Sequence, residues 1–238
     1  RSVSRGLGDV YKRQALMFFT NKGRVYQIKC YEIPEAGRTA RGTAIVNLLQ
    51  LDGGEKVTAM IRIPADAADH YLVMATRMGL IKKTALSEFQ NLRKTGLIAI
   101  VLREDDELMG VELTDGEQEI LLGTKGGMAI HFSEGDIRAM GRVSMGVKSM
   151  DLDEGDAIVG IAVYEEGAQV LSITENGYGK RTEIDAYRLQ SRGGKGLKNY
   201  NITEKTGRVA GCCVVRDTDD IMMIENGGVI IRVPCADI

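Results

Sequence analysis

Five short apolar runs in this chain each end in a polar turn closed by glycine, and they recur at nearly constant distance. They are LMFFTNKG (Leu16–Gly23), LVMATRMG (Leu72–Gly79), ILLGTKGG (Ile120–Gly127), VLSITENG (Val170–Gly177) and IMMIENG (Ile221–Gly227). The closing glycines lie 56, 48, 50 and 50 residues apart. A fixed period of this length marks a chain of stacked units, each too small to bury its own apolar face.

Within each period the pattern reads as four strands. The apolar run is the first, and the glycine suits a tight hairpin because it accepts positive φ without steric cost. A second short strand follows, at Arg24–Lys29 and Gly127–Phe132 for example. A long polar connection then ends at a second glycine series, Gly42, Gly96, Gly146 and Gly196. Third strands are expected at Ala44–Leu49, Ile98–Leu102, Val147–Leu152 and Leu197–Ile202, and fourth strands at VTAMIRI, LMGVELT, IVGIAVY and VAGCCVV. Four strands in about 50 residues is the arithmetic of an all-β, propeller-like fold of repeated four-stranded antiparallel blades. One large β-sandwich is the competing reading, and the shared register of both glycine series disfavours it. Repeats fall near residues 15–70, 71–118, 119–168 and 169–219, with a partial one at 220–238, so an incomplete ring is expected. Residues 1–14 lack the periodicity, resemble translated adapter sequence, and are set aside as non-native or unstructured.

Charge follows the same period. The formal net charge is only −2, yet residues 21–42, 77–96, 125–148 and 176–198 carry +3, +4, +2 and +4. The segments between them carry −2, −7, −7 and −2. Equivalent positions of stacked repeats lie at equivalent places, so one basic edge and an acidic remainder are expected. A basic edge attracts the phosphates of a duplex, and phosphate contacts hold register without reading bases. Any single basic loop reads more simply as a solvated loop; four in phase do not. Aromatic residues make up only 5%, which disfavours a single-strand binder that stacks bases.

Little here points to catalysis. GYGKRT at Gly177–Thr182 fails as a phosphate loop, because Thr174 and Arg181 stand where glycine and Ser/Thr are required. His70 and His131 occupy unrelated places, and such single histidines are expected on the surface or in loops. Cys30, Cys212, Cys213 and Cys235 lack zinc-ligand spacing and read as buried thiols in a reducing cytosol. The carboxylates fall in turns, where solubility explains them. No apolar stretch approaches the roughly 20 residues of a membrane span. The densest basic cluster is QSRGGKGLK, Gln190–Lys198, whose glycines let backbone amides approach an anion closely.

From about Ala15 onward the chain resembles the C-terminal domain of DNA gyrase A, part of a bacterial type IIA topoisomerase. The resemblance is carried by FFTNKGRVYQIKCYEIPEAGRTARGTAIVNLLQL, MGLIKKTALSEF, DIRAMGR with MGVK, NGYGKRTEI, QSRGGKG and IMMIENGGVIIRV. It implies a β-pinwheel that wraps duplex DNA around a basic perimeter without itself catalysing, in support of ATP-dependent negative supercoiling. It also implies a cytoplasmic location, no membrane, and partners in the rest of gyrase A and in gyrase B, joined as a heterotetramer. ATP and Mg would be used elsewhere in that assembly, with no cofactor in this chain. The family's signature box normally lies upstream of the FFTNKGRVY-like sequence; the copy at Gln190–Gly196 departs from it at Ser191. The expected DNA contacts are Arg38, Arg41, Lys82, Lys83, Arg93, Lys94, Arg138, Arg142, Lys148, Lys180, Arg181, Arg192 and Lys195. The alternatives are the equivalent DNA-binding domain of topoisomerase IV and a propeller-like protein-interaction scaffold.

Overall fold

Every complete repeat opens with the same hairpin, and four residues explain its turn. Thr20, Thr76, Thr124 and Thr174 end the first strands, and the glycine three residues on donates its amide to the threonine carbonyl at 2.9, 3.1, 3.0 and 3.0 Å. Those glycines, Gly23, Gly79, Gly127 and Gly177, sit at φ of 72°, 82°, 83° and 79°, where a Cβ is strained. In three repeats the threonine hydroxyl also accepts an amide from four residues on: Leu80 at 3.1 Å, Met128 at 3.1 Å and Tyr178 at 3.2 Å. All four threonines are buried, so the turn carries its own polar satisfaction inward.

The computed structural model describes residues 15–37, 39–64, 67–90, 92, 95–224 and 227–238. No α-helix occurs among them. The chain divides into two compact units, residues 1–116 with 137–147, and residues 117–136 with 148–238. In the first, β1 (Ala15–Thr20), β2 (Arg24–Lys29) and β3 (Val57–Ile63) precede β4 (Tyr71–Thr76), β5 (Leu80–Ala85), β6 (Leu97–Ile98) and β7 (Leu108–Thr114). In the second repeat pair come β8 (Glu119–Thr124), β9 (Met128–Ser133), β10 (Val147–Lys148), β11 (Ile158–Val163), β12 (Gln169–Thr174), β13 (Gly179–Glu183), β14 (Leu197–Lys198) and β15 (Val209–Val215). A last hairpin joins β16 (Asp220–Ile224) to β17 (Ile230–Pro234).

The sheets run β3-β1-β2-β6, β10-β5-β4-β7, β11-β8-β9-β14 and β13-β12-β15, with β16-β17 as a pair. Each four-stranded blade therefore takes its outermost strand from the repeat that follows. This strand differs from the sequence expectation. Ala44–Leu49 holds a 3-10 turn at Ile45–Asn47, and β6, β10 and β14 are two residues each. The reason is local. The amides of Ala99 and Ile100 both bond to the Gly23 carbonyl, at 2.8 and 3.2 Å, and those of Asn199 and Tyr200 both bond to Gly127, at 2.8 and 2.9 Å. Two successive amides on one acceptor bend the chain off the ladder and onto the neighbouring hairpin.

Apolar side chains of adjacent blades interlock within each unit. Met17, Phe19 and Val25 pack with Leu72, Met74, Phe89, Ile100 and Leu108. Leu121 and Ala129 pack with Val170, Ile184, Tyr187 and Cys212. Burying such side chains contributes about 1.5–3 kcal/mol each, and a lone blade would expose one such face.

Several expectations need correction. Some turn carboxylates do more than confer solubility. Glu55 is buried and accepts from Thr20 Oγ1 at 2.5 Å, Tyr26 Oη at 2.8 Å and the Asp52 amide at 2.9 Å. Asp106 and Asp156 hold the hairpins of their blades, accepting the Met78 amide at 2.9 Å and the Gly126 amide at 2.6 Å. His131 is not a surface residue; it is buried in β9, with Nδ1 2.7 Å from the Tyr187 carbonyl and its ring stacked on Tyr164. Cys212 and Cys235 are buried, but Cys30 is half-buried and Cys213 exposed.

Candidate nucleic-acid interface

The basic connections are laid down by repeated contacts. In the first unit the Met140 amide bonds to the Lys83 carbonyl at 2.8 Å, and the Val101 amide to the Ser144 carbonyl at 3.0 Å. In the second, the Gln190 amide bonds to the His131 carbonyl at 2.8 Å, and the Asp151 amide to the Gly194 carbonyl at 2.8 Å. Isolated parallel bridges, Lys83 with Ala139 and His131 with Leu189, repeat the match. Each connection thus lies along the second strand of the preceding repeat. The glycines allow this close approach: a Cβ on Gly146, at φ 91°, would stand 2.9 Å from the carbonyl carbon of Ile81.

This geometry sorts the thirteen expected contacts. Arg38, Arg93 and Lys94 lie outside the described residues. Arg41 and Arg138 are exposed. Lys148 and Lys195 are exposed and ion-paired, Lys148 with Asp151 and Lys195 with Asp153 at 2.8 Å. Lys180 is exposed with its ammonium 5.7 Å from the Tyr200 ring centroid. Arg181 lies in β13, pairs with Asp217 and donates through Nε to the Ile238 carbonyl at 3.0 Å. The exposed pairs of Lys148 and Lys195 contribute little to stability, and a phosphate can compete for those cations, whereas the Arg181 side chain is only 14% exposed.

Four residues are engaged by the fold itself. Lys82 and Lys83 are not loop charges; both are buried in β5. The Lys83 ammonium lies 5.2 Å from the Tyr71 ring centroid. Lys82 has no exposed surface and donates to the carbonyls of Ala99 at 2.7 Å, Ser144 at 3.4 Å and Arg142. It is a pin between three chain segments, and its charge is directed inward. Arg142 and Arg192 also turn their guanidinium groups to backbone carbonyls, of Ile98 and of Asp136 and Lys148 respectively.

Arg188 belongs to the exposed set and is absent from the sequence-based choice. It stands 50 residues after Arg138, in the same place of the next repeat, and aligning the two connections on Gly146 and Gly196 reveals it. Neither Arg138 nor Arg188 makes an ion pair or side-chain hydrogen bond among the described residues.

Burial, and then the nearby Arg142 charge, push the Lys82 ammonium down from 10.5 to about 8, with Glu88 opposing. Between those values the unfolded chain holds a proton that the folded chain has released. This group alone therefore makes the fold more stable as pH rises from about 8 toward 10.5. Urea unfolding of the parent chain and Lys82→Met, which cannot titrate there, should show a stability difference that widens in favour of the parent across that range. A constant difference would contradict the assignment.

The sequence pattern of the family described as the DNA gyrase C-terminal domain, beta-propeller, matches residues 14–64, 70–115, 118–165 and 168–215. DNA gyrase A of Haloquadratum walsbyi is 47% identical over 229 residues, covering 94% of this chain and 27% of that protein. DNA gyrase A of Staphylococcus aureus is 46% identical over 226 residues, covering 94% and 26%. The chain spans about a quarter of the length of these curated relatives. Among solved structures, the C-terminal domain of DNA topoisomerase IV superposes with a TM-score of 0.85 at 29% identity, over 95% of this chain and 71% of that one. A DNA gyrase A C-terminal domain superposes with a TM-score of 0.79 at 27% identity, over 93% and 72%.

Proposed function

Because this chain belongs to the DNA gyrase C-terminal domain family, we propose that it binds duplex DNA through the phosphates and bends it, serving DNA wrapping in a gyrase. One observation carries the reading. Consecutive repeats lay their basic connections down by equivalent backbone contacts, and Arg138 and Arg188 stand exposed at equivalent places within them. Arg41, Lys148, Lys180 and Lys195 add further exposed cations. Arginine and lysine on phosphate give affinity that falls with salt and carries little sequence preference. Bending a site of 20–30 bp by 40–90° costs roughly 1–6 kcal/mol, which several such contacts can offset at low salt.

In this reading the chain supplies no catalytic group. Strand passage, ATP and Mg belong to the rest of gyrase A and to gyrase B, its partners in the cytoplasm. No helix among the described residues is long and apolar enough to cross a membrane. The fold-level likeness extends to topoisomerase IV, but the 46–47% identity is to DNA gyrase A, which favours that assignment.

The test is a gel-shift titration of the chain against linear duplexes of unrelated sequence. Log affinity should fall linearly with log salt between about 50 and 200 mM, equally for each sequence. A chain that leaves every duplex unshifted at the lowest salt would favour the protein-interaction scaffold instead.

A further inference from the structure

We propose that Arg142 and Arg192 are positioning residues of the basic connections and not phosphate ligands; this rests on the DNA-binding reading above. They occupy one structural place. Arg192 follows Arg142 by 50 residues, and each stands four before the glycine that opens the next short strand, Gly146 or Gly196. Their Nη1 acceptors are equivalent too, although the buried Nε of Arg142 has no hydrogen-bond partner among the described residues. Arg142 Nη1 donates to the Ile98 carbonyl at 3.4 Å, and Arg192 Nη1 donates to the Lys148 carbonyl. Ile98 and Lys148 are the second residues of β6 and β10, the short strands of the preceding repeats.

Those strands are the outer edges of their sheets. An edge carbonyl has no ladder partner on its open side and needs a donor from elsewhere. Arginine suits this because its planar fork donates in two directions at once. Arg192 does so, with Nε on the Asp136 carbonyl at 3.3 Å while Nη1 serves Lys148. The connection is also tied at the two residues that follow: the Gly193 amide reaches the Ser149 carbonyl at 2.8 Å, and the Gly194 carbonyl accepts from the Asp151 amide. In the first unit Lys82 supports the same stretch by donating to the carbonyls of Arg142 and Ser144.

The second repeat has a different side chain at this place. Its glycine-to-glycine connection is two residues shorter, and Leu92 stands at the arginine position. Leu92 packs against the apolar core of its unit. In the third and fourth repeats, whose connections carry Arg138 or Arg188 and Lys195 outward, a guanidinium bonded to an edge carbonyl holds that place. The arginine of the QSRGGKG sequence thus shapes the loop that presents its neighbours.

The experiment compares Arg192→Lys, Arg192→Gln and Arg188→Gln by amide hydrogen exchange without DNA and by duplex affinity over a salt series. A positioning role predicts that both Arg192 variants raise exchange at Gln190 and Gly193 roughly tenfold or more and weaken duplex binding to a similar extent, because an ammonium cannot span both carbonyls. Arg188→Gln should leave exchange unchanged and lower the salt slope by about 0.9. Exchange at the β8 and β12 amides reports whether each variant stays folded. If Arg192→Lys keeps parental exchange and affinity, while Arg192→Gln lowers only the salt slope, Arg192 is a phosphate ligand and the proposal is overturned. If the parent chain binds no duplex, the wrapping reading fails, and the exchange data alone still decide whether Arg192 holds the loop.

Discussion

Replacing Arg138 and Arg188 together with glutamate should weaken duplex binding by roughly a hundredfold near 0.1 M salt and lower the log–log salt slope by about 1.8. Both side chains are exposed and carry no ion pair among the described residues, so nothing in the fold depends on them. Surface changes of this kind alter stability by about 0.5 kcal/mol or less. The loss should therefore appear in affinity and leave the thermal midpoint nearly unmoved. Reversal does more than neutralisation because each glutamate also repels the phosphate it replaces a contact to. Lys148 and Lys195 make weaker targets, since each is already countered by a neighbouring aspartate. A salt slope identical to the parent chain's would show that the duplex does not touch these positions. Affinity lost together with thermal stability would show that the arginines support the fold instead.

The hairpins are legible in the sequence because their signal is local. A threonine, two turn residues and a glycine sit within four positions, and the glycine's backbone geometry follows from sterics alone. The third strands are less legible because their partners lie in another repeat, and because a shared glycine carbonyl ends β6 and β14 after two residues. Lys82 misleads for a related reason. Counting charge over a window joins the second strand to the connection after it. Aligning the repeats on Gly23, Gly79, Gly127 and Gly177 puts Lys82 in one column with Tyr26 and Ile130, which are buried, and with Lys180, which is exposed. The column is mixed and leaves the burial of its lysine open, and the carbonyls that receive the ammonium are not legible either, since they come from Ala99, Arg142 and Ser144. Arg142 and Arg192 fall at repeated positions, but spacing cannot say whether a guanidinium faces solvent or a sheet edge.

Gly196→Ala should cost far more stability than Gly177→Ala, although both glycines have nearly the same φ, 77° and 79°. A Cβ at Gly177 meets nothing within 4 Å, so that variant bears only the left-handed backbone strain, about 1 kcal/mol. A Cβ at Gly196 would overlap the Ala129 carbonyl oxygen and stand 2.8 Å from its carbon. Ala129 is backbone of β9, held on one side by β8 and on the other by β14 through its pairing with Leu197. It cannot yield like a flexible side chain; either β14 leaves the edge of β9 or the hairpin distorts. Loss of that pairing would also uncover Tyr187 and Ala129 in the core shared by the third and fourth repeats. A penalty of roughly 3–4 kcal/mol follows, in the range of severe core damage. Urea unfolding of the two variants measures the difference directly. Equal losses would mean that β14 moves aside freely, and that the exchange of strands between repeats contributes little to holding this unit together. The expected inequality assigns the last glycine of QSRGGKG to packing, required by a neighbouring strand before any anion approaches its amide.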